Sequence, residues 1–336
     1  MLFRVLFSNI TKKKKMKFVK DCIYGYIDIP VLCQCFIDVP EFQRLRRVKQ
    51  LGMVHFVYTS AVHSRFEHSL GVMYLAGKMV EELRSFAPIS QRVKELVQLA
   101  GLYHDVGHFA YSHLFDKTLN LLARADAPDI FQIREHELRS IYFLQKVNDR
   151  LKLLDEPEIR FVAALIKGDI LDEKQAFLYQ IVCNKECGVD VDKLDYCHRD
   201  AFHVNFPAFQ AEYILKNVVI DKKNHVAFRE KARIDLADLF NTRTKMHMNV
   251  YQHHTVLKLN RIHFCMLSKL GVRLFIHGDK TDDSNVDCLI RSCSDLQELV
   301  EAIDCRHLDH ECDICRDMSL EVQIVPSGEL DLIRFV

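Results

Sequence analysis

Residues 101–113 read GLYHDVGHFAYSH, and His104, Asp105, His108 and His113 within them are side chains of the kinds that bind metal ions or move protons. A neutral imidazole offers one nitrogen lone pair and a carboxylate offers oxygen, so an adjacent His-Asp pair is a compact holder for a transition-metal ion. Such pairs also arise by chance on solvated surfaces. Here Val93, Leu96, Val97 and Ala100 lead into the pair at helical spacing and a glycine follows, which places it where a buried helix opens into a turn. His68 and Asp192 are further candidates. Together the four come from three separate helical stretches and could converge on one ion while leaving positions open for water or a substrate oxygen, as a catalytic site requires and a closed structural site does not.

Three elements have to position these groups. Ser64 suits the cap of a helix over residues 64–84, apolar on two faces (Phe66, Leu70, Met73, Val80 and Leu75, Met79, Leu83) and therefore central; His68 inside it needs a polar partner. A second helix spans 90–104. In 189–203, Asp192, Tyr196, Arg199 and His203 fall at helical spacing with Asp200 beside them, opposite Leu194, Cys197 and Ala201. That stripe suits a solvated face or a pocket wall.

Around these, the pattern predicts an extended segment over 17–29 with a turn at Gly25, a short helix between Pro30 and Pro40, and a cation-rich helix over 41–51. It predicts a strand or hairpin over 54–61, a helix over 134–152 carrying His136, strands at 217–220 and 226–228, and one long helix over 234–270 with Arg243, His247 and Tyr251 stacked at intervals of four. Residues 278–285 (GDKTDDSN) read as a linker or turn before a small C-terminal lobe with a helix near 296–303 and a strand near 320–325.

Composition bounds the rest. An apolar fraction of 49% in 336 residues fills a substantial core, and 46 basic residues balance 46 acidic ones, so attraction to phosphate or nucleic acid has to come from local clusters. Twelve cysteines without framework spacing point to reduced thiols in the cytoplasm or nucleus, and no apolar run approaches membrane-spanning length.

Four stretches in order carry a resemblance: QRLR with KQLG (43–52), RFEHSLGV (65–72), HDVGH with SHLFD (104–116), and VDKLDY with RD (191–200). They closely resemble the HD-domain deoxynucleoside triphosphate triphosphohydrolases, most nearly the animal members that also carry a sterile-alpha-motif domain, which the few residues before Lys17 are expected to lack. The resemblance runs from about residue 17 to 259, and more faintly to 308. It implies a mainly α, HD-domain helical metallohydrolase fold with small β elements: a catalytic core over 17–277, between a flexible basic tail (1–16) and a small α/β C-terminal lobe (278–336). It implies hydrolysis of dNTPs to deoxynucleoside and inorganic triphosphate. His68, His104, Asp105 and Asp192 would hold one iron or zinc ion, and Mg2+ would accompany the substrate phosphates. His113, positioned by Asp116, would protonate the departing 5′ oxygen, with His136 and His108 in support. Arg65, Lys193 and Arg243 would clamp the triphosphate, Gln50, Tyr196 and Asp200 would read the sugar, and Tyr251 and Gln252 would flank the base without selecting it.

The resemblance further implies activation by GTP or dGTP bound between the subunits of a homodimer or homotetramer. Asp38, Gln43 and Arg46 match guanine-reading positions, Lys17 a phosphate contact, and Arg229, Lys231 and Arg306 contacts to a second activating nucleotide. Lys20, Gln210 and His254 depart from the family's pattern, and the C-terminal region is shorter. Cys305, His307, His310, Cys312 and Cys315 could bind structural zinc, although the crowded spacing favours free thiols. Two rivals compete with this reading: an HD phosphohydrolase acting on another nucleotide ester, and an HD-fold regulator with weak single-stranded nucleic-acid binding through 43–49 and 12–15.

Overall fold

The computed structural model describes residues 17–122, 127–308 and 332–336. Strands β1 (Lys17–Asp21) and β2 (Gly25–Ile29) form an antiparallel hairpin with Lys17 opposite Ile29. Its turn is set by Asp21, whose Oδ1 accepts the backbone N–H of Ile23 at 2.8 Å and of Tyr24 at 3.0 Å. Helix α1 (Val31–Ile37) follows Pro30.

The centre of the molecule is α2 (Arg65–Leu83), which starts from a capping box between Ser64 and Glu67. Against it packs α3 (Gln91–Tyr103), capped by Ser90, whose hydroxyl accepts the Val93 N–H at 3.2 Å. Then come α4 (His113–Leu121), α5 (His136–Leu151) and α6 (Glu156–Lys167), the last lying on α3. Helix α7 (Val191–His203), started by the Asp190 cap, packs on α2. Helix α8 (Ala211–Lys216) leads into a second hairpin, β3 (Val218–Ile220) with β4 (Val226–Phe228). Helices α9 (Arg233–Met246), α10 (His254–Leu270), α11 (Asp283–Ser292) and α12 (Gln297–Asp304) follow, and the last described residues return to β4, where Phe335 bridges Phe228. The fold is mainly α, as predicted, and among the described residues it has two small antiparallel sheets.

The approach of α7 to α2 depends on Gly71. A Cβ there would lie 1.9 Å from Asp195 Oδ1 and 2.5 Å from Arg199 Nη2. Gly71→Ala is therefore expected to destabilise the protein by about 1–3 kcal/mol through overpacking, read as a lower thermal midpoint. An unchanged midpoint would show that the two helices separate without cost.

Several expectations need correction. The cation-rich helix over 41–51 is instead one α turn (Pro40–Gln43), one 3-10 turn (Arg44–Arg47), an extended Val48 with Lys49 bridging Ser64, and then a turn. Arg44 is 1% exposed and donates to the carbonyls of Val106 (2.6 Å), His108 (2.6 Å) and Thr281 (2.9 Å), so it is a tertiary staple and not part of a solvated face. The strand or hairpin expected over 54–61 does not form: its first residues end a 3-10 turn (Gly52–Phe56), and 57–61 continue as turns and irregular chain.

The long helix breaks. A π turn (His247–Tyr251) follows α9, and His253 then caps α10 by accepting the Thr255 N–H at 3.2 Å. The 278–285 segment is a turn but not a solvated linker: Asp282 accepts from Arg47 Nε (2.7 Å), and Asp283 from the N–H groups of Lys49 (3.0 Å) and Tyr111 (2.9 Å). Nine cysteines among the described residues are free thiols, whereas Cys265 is disulfide-bonded. The basic tail, the strand expected near 320–325, and His310, Cys312 and Cys315 lie outside the described residues.

Candidate active site

Helices α2, α3 and α7 deliver His68, His104 and Asp192 to one point. His68 Nε2 lies 3.2 Å from His104 Nε2 and 3.0 Å from Asp192 Oδ1, and His104 Nε2 is 3.3 Å from the same oxygen. Asp105, which follows the end of α3, reaches His68 with Oδ2 at 3.6 Å and His104 with Oδ1 at 3.5 Å. On the far sides of the rings, His68 Nδ1 is held by Asp195 Oδ2 (2.8 Å) and His104 Nδ1 by the Gly101 carbonyl (2.8 Å). Both partners only accept, so each ring keeps a proton on Nδ1 and turns Nε2 inward.

The donor set fits a divalent ion. Two nitrogens each ~2.1 Å from one ion are separated by roughly 3.0–3.4 Å between octahedral and tetrahedral angles, which brackets the 3.2 Å found. The electrostatics agree. Burial works against a charged His68, yet its bonds to Asp192 and Asp195 outweigh burial and raise it to about 10. Asp192 and Asp195 are held well below the usual carboxylate range against the opposing effect of burial, Asp192 by His104 and His68, and Asp195 by Arg199 and His68. His104 is raised as well, its burial outweighed by Asp105 and Asp192, so the position calls for positive charge.

Beside this centre stands a cluster of His108, His113, Asp116 and His136, whose ring nitrogens and carboxylate oxygen lie within 4.8 Å of one another. The His108 and His136 rings stack at 4.1 Å, and His113 meets His108 edge-on at 5.0 Å. Burial and Arg65 push His108 and His113 below the ordinary histidine value, and burial takes His136 down to about 3. Asp116 takes its hydrogen bond from buried Arg139.

Arg65 links the centre to the cluster: it donates to Asp105 Oδ2 and, through Nε at 2.8 Å, to Ser112 Oγ. Burial would raise Asp105, but Arg65 and the neighbouring imidazoles hold it well below its usual range. Tyr111 and Ser112 both have positive φ, 56° and 54°, a strain of about 1–3 kcal/mol each for non-glycine residues. The Arg65 bond to Ser112 and the Asp283 bond to the Tyr111 N–H hold that loop and aim His113.

A cleft of about 540 Å³ opens over the centre, lined by Gln50, Arg65, His113, Asp192, Tyr196, Asp200, Arg243, His247 and Tyr251 among others. Arg243 Nε donates to the Tyr196 hydroxyl (3.1 Å), and the Tyr251 hydroxyl to Asp200 Oδ2 (2.6 Å). The other oxygen of Asp200 meets His63 Nε2 at 2.7 Å.

Of the remaining sequence-predicted residues, Lys193 lies 3.5 Å from the carboxylate of the cap Asp190, and neither it nor Gln252 lines the cleft. Lys17 pairs with Asp38 at 3.4 Å, and Gln43 accepts from Arg46 at 2.9 Å, the Arg46 guanidinium lying 3.5 Å over the Phe66 ring. Arg229 is the N-cap residue of the 3-10 turn (Glu230–Ala232) after β4, which contains Lys231, and Arg306 donates to the Phe56 carbonyl at 3.1 Å.

Sequence reasoning gives no role to Asp195, His63 or Ser112, and it puts Arg199 on the polar stripe of α7, whereas Arg199 is buried and does not line the cleft. Asp195 is buried in a bidentate pair with Arg199 (2.9 and 3.0 Å), and Arg199 also binds Asp21 at 2.9 Å. Its signal was the position three residues after Asp192 on the same helix.

The HD-domain model matches residues 65–200, which contain all four proposed ligands. The chain is 40% identical over 264 residues to the deoxynucleoside triphosphate triphosphohydrolase SAMHD1 of Bos taurus, covering 71% of this chain and 45% of that protein. It is 36% identical over 254 residues to the SAMHD1 homolog of Dictyostelium discoideum (73% and 48%) and 37% identical over 263 residues to SAMHD1 of Homo sapiens (71% and 42%). The chain spans about half the length of the curated relatives it matches. No helix among the described residues is long and apolar enough to cross a membrane. An HD domain implies a divalent metal, and the convergent His and Asp groups are able to hold one. With these ligands placed on three helices inside the matched stretch, the chain carries an HD domain over residues 65–200 and is similar over 71% of its length to the deoxynucleoside triphosphate triphosphohydrolases.

Proposed function

We propose that the protein hydrolyses dNTPs to deoxynucleoside and inorganic triphosphate. The observation that carries this reading is the convergence of His68, His104, Asp105 and Asp192 at one point beneath a cleft that also holds Arg65, Arg243, four further histidines (His108, His113, His136 and His247), Tyr196 and Tyr251. When bound, a divalent ion supplies Lewis-acid chemistry, making water a better nucleophile near neutral pH and offsetting charge on phosphate; iron or zinc is the proposed resident, with Mg2+ accompanying the substrate.

The side chains do the rest. Arg65 and Arg243 meet the anionic oxygens, and a guanidinium fork suits them because it binds bidentately and stays charged. His113, aimed by the strained loop, protonates the departing 5′ oxygen. Asp200, fixed between His63 and Tyr251, and Tyr196, fixed by Arg243, form the wall proposed to take the sugar; hydroxyl-reading sites reject analogues strongly because a changed hydroxyl leaves buried partners unpaired. Activation by GTP or dGTP in a homo-oligomer, within the cytoplasm or nucleus, is a further part of the proposal, supported by the Lys17–Asp38 and Gln43–Arg46 pairs on neighbouring elements.

The test is incubation of pure protein with each dNTP and Mg2+, with and without GTP, and separation of products by chromatography. Triphosphate with deoxynucleoside is the expected result. Orthophosphate or pyrophosphate release would overturn the reaction, and equal rates without GTP would remove the activation alone.

A further inference from the structure

The turn of the first hairpin brings Cys22 against the two helices that frame the active site. Its Sγ is 3.9 Å from His203 Nε2, at the end of α7, and Glu67 in the first turn of α2 completes a set whose donor atoms all lie within 4.8 Å of one another. None of the three belongs to the centre described above.

His203 is prepared as a ligand. Its Nδ1 lies 3.2 Å from the Ser60 carbonyl oxygen, which only accepts, so the ring proton sits on Nδ1 and the Nε2 lone pair faces the thiol and carboxylate. Stacking on His63, with centroids 4.2 Å apart and planes at 9°, fixes the ring further. Glu67 uses Oε1 as the capping acceptor for Ser64, and its carboxylate has a second oxygen.

The spacing suits zinc. With zinc–sulfur ~2.3 Å and zinc–nitrogen ~2.0 Å, a tetrahedral ion separates the two donors by roughly 3.5 Å, within a few tenths of an ångström of the 3.9 Å found. One sulfur, one nitrogen and one carboxylate oxygen form a donor set for a borderline-soft divalent ion and a poor one for magnesium or calcium.

We propose that Cys22, Glu67 and His203 are a second metal site of the zinc class, three protein ligands with the fourth position open to solvent. The site ties the hairpin turn to α2 one residue before His68, and to α7 three residues beyond Asp200. Because His63 both stacks on His203 and bonds to Asp200, an ion here also braces one wall of the cleft. Its existence does not depend on the reaction proposed above.

Cobalt(II) tests the proposal, since only a thiolate-ligated ion adds sulfur-to-cobalt charge-transfer absorption in the near ultraviolet and the His/Asp centre has no thiol. Protein with that centre already loaded is titrated with cobalt(II). The expected result is one further equivalent accompanied by the charge-transfer band. In Cys22→Ser the band is lost, in His203→Ala the further equivalent binds at least about tenfold more weakly, and both features survive in Cys305→Ser and in Asp192→Ala. Absence of the band in the unaltered protein, or its persistence in Cys22→Ser, overturns the proposal. Loss of the further equivalent in Asp192→Ala overturns it too, by assigning that ion to the other centre.

Discussion

Asp192→Ala is expected to abolish both metal retention and dNTP hydrolysis. Asp192 Oδ1 is the one oxygen within 3.0 and 3.3 Å of both inward-facing imidazole nitrogens. Without it, two lone pairs 3.2 Å apart keep only the more distant Asp105, one of whose oxygens is already committed to Arg65. Losing a group that merely orients a ligand costs ~10–100-fold in affinity or activity, and losing the ligand itself should exceed that. Metal content by elemental analysis and triphosphate release measured on the same preparation decide it. Full turnover with a full complement of metal would remove Asp192 from the centre and end the metallohydrolase reading.

His113→Ala is expected to separate chemistry from binding: turnover falls about 10²–10⁴-fold, the usual contribution of a positioned general acid, while metal and nucleotide binding are kept. The pH behaviour follows with a definite sign. Burial, then Arg65, hold His113 below its ordinary value in the free protein, opposed by Asp116 and Asp105, so the acid form is scarce at neutrality. A bound triphosphate adds negative charge beside Arg65 and raises the histidine. Because a general acid works only when protonated, rate falls as pH rises through its pKa, and that fall should come at higher pH in kcat than in kcat/KM. Normal turnover in His113→Ala would transfer the proton donation to another member of the cluster.

The parts of this site legible in the sequence are those that local forces specify. Ser64, Ser90 and the approach to His104 are readable because a cap and a 3.6-residue apolar repeat need no distant partner. Asp195 is not readable in the same way. Periodicity tells which residues share a face of α7 but not what stands opposite, and His68 stands 127 positions away. Residues 41–51 mislead for the same reason, since a guanidinium at helical spacing looks solvated until the carbonyls that receive it are known. The break at Gln252–His253 is likewise nonlocal: it is tied to a π turn whose last residue, Tyr251, bonds to Asp200 on another helix.

Arg44 has one more consequence. Its guanidinium, lowered by burial to about 10 and so still charged at neutral pH, is shared between the turn that follows the His-Asp pair and Thr281, 237 positions along the chain. A buried charge stripped of any of these acceptors pays several kcal/mol, which makes piecemeal fraying on either side unfavourable. The turn after the His-Asp pair and the start of α11 therefore open as one cooperative unit, and amide protons in both should exchange with solvent at a common rate, slower than in the surface loops around them.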